Sequence, residues 1–257
     1  MSEHAIAARW RRLGGRALIP YLTAGFPTPA ASREALQRVA AAGADFVEVG
    51  VPFSDPLADG PTIQRTTQAA LDQGMTAAGV LTLIRDAALD VPVIIMTYLN
   101  PVLAYGVERF VADAHAAGAA GLLLTDLPAG AYPAVEAAVT RSPLALIRLV
   151  APTTDDARLA ATLTGATGFV YLISRLGVTG ARDEVPPDLE THVRRIRAVT
   201  PLPVAVGFGI GTPAQAAAAA RYADGVVVGS ALMDALARGG VAAAERLVRE
   251  LAAAVHG

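Results

Sequence analysis

Two acidic residues in the sequence have the type and spacing needed for acid–base chemistry. Glu48 lies near the C-terminal end of the otherwise apolar run FVEVG, where an ionised carboxylate costs several kcal/mol to bury unless it is paired or protonated. Asp59 follows eleven residues later, in LADGP. The two carboxyl groups are therefore candidates for a catalytic acid–base pair. The alternatives stay open: Glu48 as a structural residue bonded to backbone or to an arginine, and Asp59, like Asp55, as ordinary turn chemistry.

Glycine-rich segments late in the chain are candidates for binding phosphate. The run GFGIGT covers residues 207–212, and Gly229-Ser230 follows the next apolar run. Closely spaced glycines let backbone N–H groups approach an anion, and a helix that begins there adds its dipole. The run does not match GxGxxG, so a dinucleotide fold is a poor explanation. The long segment SRLGVTGARDEVPP (174–187) is a candidate lid, or simply a long loop.

The composition excludes several classes of function. All 21 basic residues are arginine, so the chain has no lysine for a Schiff base, a pyridoxal phosphate anchor or a P-loop. It has no cysteine, and its four histidines show no metal-ligand spacing, so we expect neither metal nor cofactor. A net charge of −2 with scattered arginines gives no nucleic-acid footprint. No apolar run is long enough for a membrane span or resembles a signal peptide, which predicts a cytoplasmic protein.

The candidate residues are embedded in an alternation of short apolar runs and alanine-rich helical segments. The apolar runs lack polar alternation, which is typical of parallel strands buried on both faces. Glycine precedes every second run and proline precedes runs three, five and seven, which is an internal repeat. The predicted strands are 17–22, 45–50, 92–98, 121–126, 143–150, 168–174, 203–209 and 224–230. This pattern predicts an α/β fold, a (β/α)₈ TIM barrel, as a single domain over residues 1–257. An extra helix is predicted near 62–73.

Several motifs together resemble the tryptophan synthase alpha chain family. The most specific are GVPFSDPLADGPTIQ with the preceding Glu48, and YLISRLGVTG. PYLTAGFP, MTYLNP, LLLTDLP, GFGI and VVVGSA continue the resemblance in the family's order over essentially the whole chain. The resemblance also implies an extra N-terminal helix at 3–14 that caps the bottom of the barrel. One departure is Tyr21, where several members have phenylalanine.

The resemblance implies a carbon–carbon lyase of tryptophan biosynthesis. Such an enzyme cleaves indole-3-glycerol phosphate by a retro-aldol reaction to indole and D-glyceraldehyde 3-phosphate, without cofactor or metal. Glu48 would then be the main acid–base group, and Asp59 would stabilise the positive charge that develops on the indole N–H. The substrate-binding residues implied by the same matching are Tyr21, Tyr98, Leu123, Tyr171, Thr179, Gly180, Phe208, Gly209, Gly229 and Ser230.

The resemblance also implies a partner, the pyridoxal-phosphate beta chain of an alpha2beta2 heterotetramer. Loops 50–62 and 174–187 would make that contact. Three alternatives remain at the level of sequence. They are a stand-alone lyase that releases free indole, a phosphosugar isomerase with a similar glycine site, and a catalytically inactive barrel that acts as a regulatory partner.

Overall fold

Eight parallel strands close into a barrel in the order β1-β2-β3-β4-β5-β6-β7-β8, with β8 pairing with β1. The computed structural model describes residues 5–173, 186–207 and 209–257. The strands are β1 Ala17–Thr23, β2 Val47–Gly50, β3 Val93–Thr97, β4 Ala119–Leu124, β5 Ala145–Val150, β6 Val170–Ile173, β7 Val204–Gly207 and β8 Gly225–Val228. The predicted TIM barrel is confirmed.

Helices surround the barrel and also interrupt its loops. They are α1 Ala5–Leu13, α2 Pro29–Ala41, α3 Pro61–Asp72, α4 Ala77–Ala87, α5 Leu99–Tyr105, α6 Val107–Ala116, α7 Pro133–Thr140, α8 Asp156–Thr162, α9 Leu189–Arg197, α10 Pro213–Ala220 and α11 Ser230–His256. Helix α3 is the extra helix predicted at 62–73. Helix α11 is interrupted at Gly240, which has non-helical torsions (φ 65°, ψ −167°).

The barrel interior is filled by large side chains, and α1 closes its lower end. Trp10 of α1 packs against Phe46 and Phe169, with ring centroids 5.0 and 6.0 Å away. Ile6 of the same helix is fully buried in this interior cluster. The sequence-based expectation of an N-terminal helix under the barrel is met over Ala5–Leu13, and residues 3 and 4 lie outside the described part.

Asp45 ties the two ends of the chain to the barrel. Its carboxylate accepts hydrogen bonds from the Leu18 backbone N–H (2.9 Å) and the Arg9 guanidinium (3.0 Å), and it lies 2.8 Å from Nε2 of His256. The side chain is buried, so these partners replace water around the carboxylate. A buried hub at the start of β2 thus anchors α1, β1 and the C-terminal helix α11.

The predicted strand ends differ from the observed ones where flanking residues have other partners. The second strand begins at Val47 rather than at residue 45, because Asp45 forms the hub described above. The eighth ends at Val228, because Gly229 is the N-cap of α11 and Ser230 is its first residue. The fourth begins earlier than predicted, at Ala119, with a register shift against β3 beside Val93.

Candidate active site

Glu48 projects from β2 into the barrel mouth without a hydrogen bond to its Oε1 atom from any described residue. It pairs in register with Tyr21 of β1 and Ile94 of β3, and it is 1 % exposed. Burial, with the negative charge of Asp59 as a second cause, raises its pKa from 4.5 to about 8. A carboxyl group in this state is protonated near neutral pH and can donate a proton.

Asp59 reaches the same space from the loop that follows β2. Its backbone carbonyl accepts a hydrogen bond from the Gln64 side chain (2.8 Å), which fixes the residue to the first turn of α3. Burial raises the pKa of its carboxyl group from 3.8 to about 6, and a hydrogen bond donated by the Tyr98 hydroxyl opposes the rise. Asp59 is therefore ionised near neutral pH while Glu48 is neutral, which separates the two carboxyl groups into different roles.

Two buried tyrosines line the cavity with Glu48, and each lies over a glycine on the next strand. The Tyr21 hydroxyl covers Gly50 of β2, and the Tyr171 hydroxyl covers Gly207 of β7, so closely that a Cβ on either glycine would overlap the phenol. Burial raises the pKa of both phenols, and both remain neutral at physiological pH. Both tyrosines line the same cavity as the Glu48 carboxyl group.

A cavity of about 640 Å³ joins these side chains to the glycine-rich strand ends. Tyr21, Glu48, Asp59 and Tyr171 line one part of it, and Gly209, Gly229 and Ser230 line another. A volume of this size fits a ligand of drug-like dimensions, for which ~300–1,000 Å³ is usual.

The two helices at the glycine end differ in how their N-termini are capped. Thr212 and Gln215 form a capping box at α10, in which Gln215 Oε1 accepts from the backbone N–H groups of Gly211 (2.8 Å) and Thr212 (3.1 Å). Helix α11 has Gly229 as its N-cap and no side-chain cap. The N-terminus of α11 is thus open toward the cavity, with a dipole that favours an anion.

The remaining sequence-predicted residues fall into two groups. Tyr98 is buried beside this loop, where its hydroxyl accepts a hydrogen bond from the Ala58 N–H (2.9 Å) and its ring packs on Phe53. Leu123 is fully buried in the interior cluster below the cavity and does not line it. Thr179, Gly180 and Phe208 lie outside the described residues.

Sequence reasoning missed several residues that line the cavity. Met96 of β3 and Ile63 of α3 add apolar surface, and Asp234 and Arg238 of α11 add charge. Ser230, Asp234 and Arg238 recur every four residues and so share one helix face, a spacing that was available as a signal. Over the described part of the chain, no cluster of three or more potential ligands could hold a metal ion. In the same part, no helix is long and apolar enough to cross a membrane.

The fold is a closed parallel barrel whose cavity holds two unequal buried carboxyl groups and the uncapped N-terminus of a helix. This arrangement is typical of an acid–base enzyme of the (β/α)₈ class with an anionic substrate. Comparisons with known proteins narrow this class. The family model described as "Tryptophan synthase alpha chain" matches residues 8–256. The chain belongs to the tryptophan synthase alpha chain family.

Curated relatives and solved structures agree with this membership. The alpha chain of Acidiphilium cryptum is 50% identical over 238 residues, covering 91% of this chain and 86% of the relative. The alpha chain of Granulibacter bethesdensis is 49% identical over 233 residues, covering 90% of this chain and 84% of the relative. A Mycobacterium tuberculosis tryptophan synthase structure matches with 42% identity, a TM-score of 0.92 and full coverage of both chains. The alpha subunit from Legionella pneumophila matches with 33% identity, a TM-score of 0.90 and 99% coverage of each.

Membership in the family gives the reaction. The chain is a lyase that cleaves indole-3-glycerol phosphate in tryptophan biosynthesis. The stand-alone lyase considered from the sequence is not favoured, because the matching family and relatives are synthase alpha chains.

Proposed function

We propose that Glu48 and Asp59 carry the cleavage of indole-3-glycerol phosphate between them. The observation that supports this most directly is a neutral, buried Glu48 carboxyl group with an unpartnered oxygen, in one cavity with an ionised Asp59. A carboxyl group with a pKa of about 8 is matched to proton transfer near neutral pH, in both directions.

In the proposed mechanism the neutral Glu48 protonates the indole carbon that bears the glycerol phosphate side chain. The ring becomes a cation at nitrogen, and the Asp59 carboxylate stabilises the charge on the indole N–H. The newly formed Glu48 carboxylate then removes the proton of the side-chain hydroxyl. The carbon–carbon bond breaks, its electrons restore the aromatic ring, and Glu48 ends the cycle protonated as it began.

The substrate orientation follows from the two ends of the cavity. Backbone N–H groups at Gly209, Gly229 and Ser230 would hold the phosphate, since the open N-terminus of α11 lies there. Tyr21 and Tyr171 would flank the indole-glycerol portion beside Glu48. Tyr98 would contribute to the indole end mainly by holding Asp59. Leu123, which is buried below the cavity, stays a prediction for that end. Three roles stay predictions for residues outside the described part: Thr179 in the closing loop, Gly180 at the phosphate and Phe208 beside the indole ring.

We further propose that the chain works with a tryptophan synthase beta chain in an alpha2beta2 assembly. The support is family membership and the exposed loop beside Asp59, where Leu57 is 93% exposed at the catalytic face. An exposed leucine of this kind is well suited to burial against a partner. A single domain over residues 1–257 and a cytoplasmic location stay predictions.

Indole formation from indole-3-glycerol phosphate tests the proposal. The purified chain is compared with Glu48→Gln and Asp59→Asn, each with and without a beta chain. In the assays without a beta chain Asp55→Asn is the matched control, because Asp55 is an exposed carboxylate of the same loop that accepts a hydrogen bond from Ser54. We expect both catalytic variants to lose activity while they still bind glycerol 3-phosphate. Near-normal turnover of Glu48→Gln would show that Glu48 has a structural role and not a catalytic one.

A further inference from the structure

A charged cluster joins two helices at the rim of the candidate active site. Asp234, one turn into α11, pairs with the Arg65 guanidinium at 2.8 Å and with that of Arg238 at 3.5 Å. The Thr62 hydroxyl donates a weaker hydrogen bond to it at 3.4 Å. These four residues are the Asp234 cluster. Asp234 and Arg238 line the same cavity as Glu48 and Asp59.

The partners of Asp234 on α3 lie directly beyond Asp59. Gly60 is the N-cap of α3, and Thr62 and Arg65 belong to its first turns. Gln64, between them, donates to the Asp59 carbonyl at 2.8 Å. A displacement of the first turn of α3 would therefore move Asp59 with it. The Asp234 cluster fixes that turn to α11.

A second anchor holds α3 further along. The buried hydroxyl of Thr66 lies 2.9 Å from that of Thr23 on β1, and Thr66 also donates to the Ile63 carbonyl. This anchor joins the helix to the barrel wall and does not involve Asp234. Loss of the Asp234 carboxylate should therefore loosen the start of α3 without detaching the helix.

The position of Asp234 carries an electrostatic disadvantage. Among the described residues that line the cavity, the acidic and basic ones are Glu48, which is neutral, and the ionised Asp59, Asp234 and Arg238. A phosphate held at Gly229 and Ser230 would meet the helix dipole favourably but would be repelled by a carboxylate one turn further on. A residue that opposes ligand charge at this point needs another reason to be there, and the link to α3 provides one.

We propose that Asp234 is a positioning residue that aligns Asp59 with the phosphate-binding end of α11, at the expense of phosphate affinity. The inference rests on the proposed function of Asp59. It makes a specific prediction: removal of the Asp234 charge lowers turnover and strengthens phosphate binding at the same time. Simple structural damage would weaken both.

The test compares Asp234→Asn with Glu245→Gln. Glu245 is a close match, since it lies on the same helix and forms ion pairs with two arginines, Arg38 of α2 and Arg249 one turn further on. Its side chain is 20% exposed, and that of Asp234 is 28% exposed. It does not line the cavity. Turnover is measured as indole formation by the purified chain, affinity by calorimetric titration with glycerol 3-phosphate, and stability by thermal unfolding.

For Asp234→Asn we expect kcat to fall about five- to thirtyfold. A catalytic group displaced by a full ~1 Å would lower the rate ~100-fold. The loss should be smaller here, because Thr66 still holds α3 against β1. The Kd for glycerol 3-phosphate should fall about two- to fivefold as one screened negative charge is removed. Asp234→Glu should restore most of kcat, and Arg65→Gln should lower kcat without the gain in affinity. Glu245→Gln should leave both parameters at their wild-type values.

The outcomes separate this inference from the proposed function. Wild-type kcat in Asp234→Asn, with Asp59→Asn inactive, overturns the positioning role and leaves the two-carboxyl mechanism in place. A parallel loss of kcat and glycerol 3-phosphate affinity in Asp234→Asn also overturns it, because that is the result of structural damage. Wild-type activity of Asp59→Asn would instead overturn the proposed function.

Discussion

Replacement of Glu48 by glutamine should stabilise the folded chain in a pH-dependent way while it removes activity. Glu48 is buried and its pKa is raised to about 8 by burial and by the charge of Asp59. The folded protein therefore keeps a proton that the unfolded chain releases at much lower pH. Glutamine is neutral in both states and nearly the same shape, so it removes this difference.

The sign and size of the effect follow from the two pKa values of Glu48, 4.5 as its ordinary value and about 8 in the fold. Below the lower value both states are protonated, and the group costs nothing. Between them the free energy of unfolding of the wild type falls by about 1.4 kcal/mol for each pH unit relative to the variant. The free energy of unfolding of Glu48→Gln should exceed that of the wild type by about 3 kcal/mol at pH 7 and by about 5 kcal/mol above pH 8.

Urea unfolding of wild type and Glu48→Gln, followed from about pH 5 to about pH 8, measures this difference. The slope against pH is the informative quantity, because a constant contribution from the hydrogen bonds of the new amide cancels from it. Asp55→Asn controls for loss of a carboxylate from the loop after the same strand.

A flat difference between wild type and Glu48→Gln across this range would refute the reasoning. It would mean that Glu48 ionises in the folded protein as readily as in the unfolded chain. The neutral-acid role would then be lost, even if the variant were inactive.

Three further predictions test the electrostatics and packing of the site. The pH profile of kcat/KM should rise near pH 6 as Asp59 ionises and fall near pH 8 as Glu48 loses its proton. Tyr98→Phe removes a hydrogen bond donor from the Asp59 carboxylate, so the pKa of Asp59 should rise and the acidic limb should move to higher pH. Gly207→Ala should force the Tyr171 phenol aside, lowering the free energy of unfolding by about 1–3 kcal/mol and kcat by about tenfold.

Each of these predictions has a measurable counter-result. A profile without an acidic limb near pH 6 would contradict the ionised state of Asp59. An acidic limb that stays in place in Tyr98→Phe would show that this hydroxyl does not stabilise the Asp59 carboxylate. Gly15→Ala is the control for Gly207→Ala, since an added Cβ there meets no atom within 4 Å. Equal unfolding energies for the two alanine variants would contradict the overlap with Tyr171.

The barrel and the unusual position of Glu48 were predictable because both leave local signals, whereas Asp59 alone looked like ordinary turn chemistry and was singled out by the family resemblance. Continuous apolar runs introduced by glycine or proline indicate buried parallel strands, and a lone glutamate near the end of such a run indicates an unusual carboxyl group. The protonation states were not predictable. They depend on the 1% exposure of Glu48 and on the closeness of Asp59, which only the folded barrel creates.

Contacts between distant parts of the sequence were also out of reach. Arg65 and Asp234 are 169 residues apart, and each alone is an ordinary helix-surface charge. The Asp45 hub likewise depends on His256, 211 residues away. Local propensity places elements, whereas tertiary partners decide where they end.

The two tyrosine–glycine contacts show how the barrel accommodates the Glu48 carboxyl group, which is costly to bury. Neither Gly50 nor Gly207 has a positive φ, so backbone conformation does not require glycine at either position. Space does, because a phenol lies over each one. The geometry repeats: Tyr21 pairs with Glu48, and Tyr171 pairs with Ala205 at the equivalent register position.

Glu48 thus occupies on β2 the place that alanine occupies on β7. The same local design accommodates an inert methyl group at one strand and a reactive carboxyl group at the other. The barrel therefore does not adapt its packing to Glu48. It leaves the carboxyl group in an environment built for an apolar side chain, and that mismatch is what raises the pKa toward the value that proton transfer requires.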